Sequence, residues 1–138
     1  MYKCKHFEIY ELVDPATYAI FDERAWMFFR PQALMALDGI REFFDAPVTV
    51  NNWQWGGPFR WRGLRLGSTI VGADYSQHKL GNAFDCDVRE MTAEEVRQAI
   101  LANKNDYRLQ NINCIETKVN WLHFDCRNIE DRIRLVHR

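Results

Sequence analysis

Apolar and polar residues alternate through HFEIYELV, residues 6–13, and this period of two predicts a first strand ended by Asp14-Pro15. A helical pattern follows from about Ala16 to Phe29. Arg30-Pro31 opens a second helix, since proline fits a first helical position, and Leu34, Leu37, Ile40 and Phe44 follow at helical spacing until Pro47 closes it. Val48-Thr49-Val50 is a short strand-forming run. It leads into NNWQWGGPFRWRGLRLGS, where glycines, a proline and three tryptophans predict a long irregular loop, a length that in a compact domain usually has a function. Thr92 and Glu95 form a capping-box pattern, and Val96, Ala99 and Ile100 give an apolar stripe, so a third helix is expected from about Ala93 to Asn103. INCIE and NWLHFDC are separated by Thr117-Lys118-Val119, a connection short enough for an antiparallel hairpin.

Gly81-Asn82 marks a turn before another strand, Ala83 to Val88, in which Phe84, Cys86 and Val88 share one face and Ala83, Asp85 and Asp87 the other. The late strand repeats the arrangement. Leu122, Phe124 and Cys126 form its apolar face, with Trp121, His123 and Asp125 opposite. Both strands are expected to be apolar toward the helices and polar toward the outside. Because strands and helices do not alternate in βαβ fashion, the fold class is α+β, a small, mainly antiparallel sheet with helices packed on one face.

Size and composition narrow the picture further. A chain of 138 residues fits a single domain, and 47% hydrophobic with 14% aromatic residues is ample for a packed core. Eighteen basic and 19 acidic residues give a net charge of −1, which offers a polyanion nothing to bind, so no nucleic acid partner is expected. No segment approaches the roughly 20 apolar residues of a membrane span, and the start of the chain lacks a signal-peptide run, so no membrane partner and a cytoplasmic site of synthesis are expected. A monomer is expected as well. Cys4, Cys86, Cys114 and Cys126 form no CxxC unit and read as free thiols, with Cys86 and Cys126 on the buried strand face, where thiols are inert.

The chemistry gathers in SQHKLGNAFDCD, residues 76–87. If the two strands are neighbours, Asp85 and His123 come onto one face, and His78 reaches the same place across the Gly81 turn. Two imidazoles and a carboxylate suit Zn²⁺. Three protein ligands leave a tetrahedral position open, which is the arrangement of a catalytic site, where zinc acidifies water to a pKa of about 7. His6 and His137, near the termini and without acidic neighbours in sequence, read as solvated.

Ser76 to Asp85 matches S-x-H-x-x-G-x-A-x-D, and Trp121-Leu122-His123-Phe124-Asp125 resembles the later W-x-H-x-D segment of the M15 metallopeptidases. That family includes D-alanyl-D-alanine carboxypeptidases and dipeptidases, phage endolysins that cut peptidoglycan stem peptides, and the fold of the Hedgehog signalling domain. The resemblance covers about residues 45 to 128. It implies zinc ligands at His78, Asp85 and His123, with Ser76 at the substrate edge, where the alternative is a turn-starting hydroxyl bonded to nearby backbone.

One position departs from the pattern. Many members carry Glu or Asp three residues before the last histidine ligand as general base, and here that residue is Asn120, which cannot accept a proton at neutral pH. Glu116 is the substitute expected, lying across from His123 on the adjacent strand. Asp125 either orients an imidazole by accepting its second N–H or serves as the base itself. Family members place an arginine upstream of the first motif to face the oxyanion. Arg60, Arg62 and Arg65 compete for that role, and Arg62 is the one selected. Trp53, Trp55 and Trp61 either wall a groove for a peptide or glycan or pack the loop onto the domain. The resemblance therefore implies a zinc-dependent peptidase acting on peptidoglycan stem peptides, a phage or prophage product released to the cell wall or carried in a particle. The alternative is a zinc-containing, catalytically inactive cell-wall-binding or structural module.

Overall fold

The computed structural model of the chain describes residues 1–66, 76–127 and 132–137. Helix α1 (Pro15–Phe21) begins as its sequence requires: Asp14 accepts from the Thr17 N–H, and Pro15 takes the first helical position, where no N–H partner is needed. It is shorter than the helix expected to Phe29. Asp22 adopts a φ of 48°, and the chain tightens into a 3-10 helix over Asp22–Phe28 that buries Ala25 and Trp26. The Trp26 indole N–H is satisfied by Glu23 at 2.7 Å.

The first segment is not a strand. Asp38, buried on α2 (Pro31–Phe44), accepts from the Tyr2 hydroxyl at 2.7 Å and from the backbone N–H groups of Lys5 and His6 at 2.8 and 3.1 Å. Glu8 and Glu11 close a capping box around a 3-10 turn at Ile9–Glu11. With the Lys5 and His6 donors held by α2, the Glu11 and Leu12 donors closed into the 3-10 turn, and the Glu11 and Leu12 carbonyls accepting from Asn51 and Leu64, the segment has no edge to give to a sheet. His6 is not merely solvated either, since its Nε2 lies 3.1 Å from Glu42.

The sheet contains β1 (Val48–Thr49), β2 (Ala83–Val88), β3 (Cys114–Thr117), β4 (Leu122–Asp125) and β5 (Arg134–His137), in the order β1-β2-β4-β3-β5. The pairs β1–β2, β2–β4 and β3–β4 are antiparallel, and β5 adds one parallel pair against β3. This is the expected small α+β fold. β5, in which His137 pairs with Thr117, escaped the periodicity because it is four residues long and mostly exposed. Helix α3 (Ala93–Ala102) carries the expected capping box, formed by Thr92 and Glu95. Both α2 and α3 pack against β2, and Leu34, Leu37, Ile40, Val96 and Ile100 share one apolar core with Phe84, Cys86, Val88, Leu122 and Phe124.

Part of the opposite face of the sheet is closed to water. Asp85, His123 and Asp125 are all buried, whereas Asp87 further along β2 is exposed, so the outward polar face expected from alternation holds at Asp87 and is covered at the other three. The cover is the loop that follows β1. Where β1 stops, the Asp85 N–H donates to the Arg62 carbonyl at 2.8 Å, and Leu64, itself buried, donates to the Leu12 carbonyl at 2.9 Å. A Cβ on Gly63 would stand 2.1 Å from the Leu12 carbonyl oxygen, so only glycine permits this approach. Residues 67–75, which include the end of the long loop, lie outside the described residues.

Candidate metal centre

Sheet register assembles the centre. In β2–β4 pairing Asp85 stands opposite His123, and in β3–β4 pairing Glu116 stands opposite the same histidine. His78 arrives from the turn before β2. There the His78 N–H meets the Ser76 hydroxyl at 3.3 Å and the Lys79 N–H donates to the Ser76 carbonyl at 3.0 Å. Gly81 closes the turn at a φ of 67°, where an added Cβ would fall 1.9 Å from the Phe28 carbonyl oxygen. Both its conformation and its surroundings require glycine.

The donor atoms converge. One ligand atom each from His78, Asp85 and His123 lies within 4.8 Å of the others, and all three residues are buried. His78 places Nε2 3.3 Å from Asp85 Oδ2, while its Nδ1 sits 2.9 Å from the Gly63 carbonyl and so carries the proton that bonds it. His123 places Nδ1 2.8 Å from Asp85 Oδ1 and Nε2 2.8 Å from Asp125 Oδ2. Each imidazole is thus fixed by a hydrogen bond on one nitrogen and offers the other toward Asp85, the way metal-binding histidines are oriented. These residues fit a metal ion by the chemistry of their donors.

Charge supports the same reading. Burial alone would push the His123 imidazole down, but hydrogen bonds to Asp125 and Asp85, with the charges of Asp85 and Glu116, outweigh it and raise the pKa to about 9. Burial would likewise raise the Asp85 carboxyl, yet hydrogen bonds from His123 and His78 hold it far below the usual carboxylate range. Asp125 is lowered too, with burial opposed by the bonds from His123 and Arg127. A proton on His123 therefore stands where a cation's charge would otherwise balance Asp85.

Beside the centre lies a groove of about 460 Å³ lined by Phe59, Trp61, Arg65, Asp87, Asn120 and Trp121 among others. Residues 5–125 match the peptidase M15 family. The chain belongs to that family. No curated protein and no solved structure matches the chain. The M15 match begins well before residue 45, where the motif resemblance starts, so α1 and α2 belong to the family's domain as much as the sheet does.

Within this M15 domain the remaining candidates separate. Arg62 is tied to Asp87 by two contacts of 2.8 and 3.2 Å and stacks over Phe59, 4.2 Å from the ring centre. Arg65 reaches the candidate ligand cluster, with Nη2 3.3 Å from Asp85 Oδ2 and Nε held by the Trp61 carbonyl at 2.7 Å. Spacing in RWRGLR does not say which side chain turns inward, and the structure puts Arg65 on Asp85 and Arg62 on Asp87.

Glu116 and Asp125 both meet His123 at Nε2, at 3.3 and 2.8 Å, the nitrogen turned away from Asp85. Asp125 is fully buried, whereas the Glu116 side chain keeps 15% exposure. Asn120 is exposed at the groove. Ser76 starts the turn, as the backbone-bonded alternative anticipates. Of the tryptophans, Trp61 lines the groove, Trp53 donates to the Val13 carbonyl at 2.7 Å, and exposed Trp55 packs edgewise on Tyr10. All four cysteines are free thiols, and burial raises each one, Cys114 to about 11 and Cys126 to about 12, so thiolate chemistry near neutral pH is disfavoured.

Proposed function

We propose that this M15 domain is a zinc-dependent peptidase that hydrolyses amide bonds in peptidoglycan stem peptides. The observation that carries the proposal is the convergence of His78 Nε2, Asp85 and His123 Nδ1 beside an aromatic groove. Zinc in such a site supplies a Lewis acid that polarises a carbonyl and acidifies water. The chain's own residues supply the rest. Gly63 and Asp125 hold the two imidazoles in the tautomers that present Nε2 of His78 and Nδ1 of His123. Arg65, anchored on the Trp61 carbonyl, brings positive charge to the groove side of Asp85, where it can face the oxygen of a substrate carbonyl. Trp61, Trp121 and Phe59 offer flat apolar walls to an extended peptide.

Between the two carboxylates, Glu116 is the better proton acceptor, because it keeps solvent access while Asp125 is sealed between His123 and Arg127. Ser76 stands at the substrate edge of the same site. A chain of this kind suits a phage or prophage product released to the cell wall.

A second reading is favoured by Asn120, which puts an amide at the groove in place of a carboxylate: a zinc-holding module that binds the cell wall without cleaving it. Incubating zinc-loaded protein with peptidoglycan and measuring newly released amines decides between them. Release that falls about 100-fold or more in Glu116→Gln, as loss of a general base predicts, supports the peptidase. No release from the wild type, with peptidoglycan still bound, supports the module.

A further inference from the structure

Asp125 lies completely buried against His123, and it faces a competitor. The single Nε2–H of His123 has two carboxylates within reach, Asp125 at 2.8 Å and Glu116 at 3.3 Å. One N–H bonds well to one acceptor, so something must fix the choice. Arg127 supplies four contacts to Asp125, spread over both carboxylate oxygens. Its backbone N–H donates to Oδ1 at 3.1 Å, its Nε reaches Oδ1 and Oδ2 at 2.9 and 3.0 Å, and its Nη2 bonds Oδ2. A guanidinium fork of this kind fixes the plane of a carboxylate as well as its charge. Arg127 lies two residues past the end of the family match at 125, and it touches none of the three candidate ligands in the contacts above.

We propose that Arg127 is a positioning residue of the metal centre: by clamping Asp125 it assigns the His123 Nε2–H to that carboxylate and thereby keeps Nδ1 turned to Asp85 and the ion. Glu116 is then relieved of holding the ring. Without the guanidinium a fully buried aspartate would rest on the His123 ring alone, and that ring would lose its fixed orientation.

Two measurements on Arg127→Gln and Arg127→Lys test this. The first is zinc affinity of the whole chain by competition with a chelator. The second is the nitrogen-bound proton signal of His123 Nε2 in NMR spectra of the metal-free protein. The affinity measurement rests on the zinc reading above, and the NMR measurement does not. Removing an outer-shell partner typically weakens metal binding about 10- to 100-fold, so Arg127→Gln should show a loss of that order, with Arg127→Lys in between because an ammonium makes no fork. The Nε2–H signal should broaden or disappear in Arg127→Gln. Arg108→Gln, which breaks the pair with Asp106 outside the centre, should leave both readouts unchanged. Wild-type zinc affinity together with an intact Nε2–H signal in Arg127→Gln would overturn the proposal. Should that variant fail to fold, Arg127→Lys decides: a several-fold weaker affinity supports the clamp, and equality with wild type refutes it. Should the wild type take up no zinc, the proposed peptidase falls, and the Nε2–H comparison alone decides the role of Arg127.

Discussion

At the residue scale, His123 links folding, protons and metal. Its pKa of about 9 stands above the value of about 6.5 expected in the unfolded chain. In the metal-free protein its contribution to stability is therefore fully present below pH ~6.5 and is lost as pH rises through about 9. The depressed Asp85 and Asp125 carboxyls act at the other end, contributing above about pH 4 and losing that contribution as pH falls further. A metal at Nδ1 displaces the extra proton, so zinc uptake at pH 7 should release about one proton per ion and tighten as pH rises toward 9. Calorimetry in buffers of different ionisation enthalpy counts that proton. Binding that releases none, at an affinity independent of pH, would contradict the placement of Nδ1.

At the element scale, the hairpin that presents His123 is held from behind by α3. Buried Arg97 donates from Nη1 to the carbonyls of Val119 and Trp121, both at 3.1 Å, and pins the turn in which Lys118 takes a φ of 63°. Arg97→Met should therefore lower the unfolding free energy by about 2 kcal/mol, from hydrogen bonds that involve a charged donor. Urea denaturation measures it, and a change within about 0.5 kcal/mol would show that the tie is dispensable. Alternation made β2 and β4 legible because each keeps a strict apolar face, and adjacent pairing of those two strands is what brings Asp85 to His123. The same alternation misread residues 6–13, where Asp38 from another element claims the His6 N–H and Glu11 and Leu12 turn their N–H groups back into a 3-10 turn. It was also silent on the cover. Nothing in the spacing of RWRGLR says that Gly63 will lie against Leu12 and bring Arg65, not Arg62, to Asp85.

At the scale of the whole molecule, the centre is stitched from the covering loop, the turn before β2 and two strands, so a ligand that binds it ties those parts together. Zinc at about 100 times its dissociation constant should stabilise the fold by about 2.7 kcal/mol, seen as a rise of several degrees in Tm. Gly63→Ala should remove most of that rise, because the added methyl displaces the loop from the Leu12 carbonyl and with it the acceptor of His78 Nδ1. A Gly63→Ala protein with an undiminished zinc-induced shift would mean that the loop does not help to form the site.

Zinc content of the purified, dialysed protein, compared between wild type and His78→Ala, is the most direct trial of a three-residue centre. One zinc per wild-type chain and almost none in the variant is the expected result. Equal zinc in both, or none in the wild type after loading, would mean that His78, Asp85 and His123 do not hold a metal together.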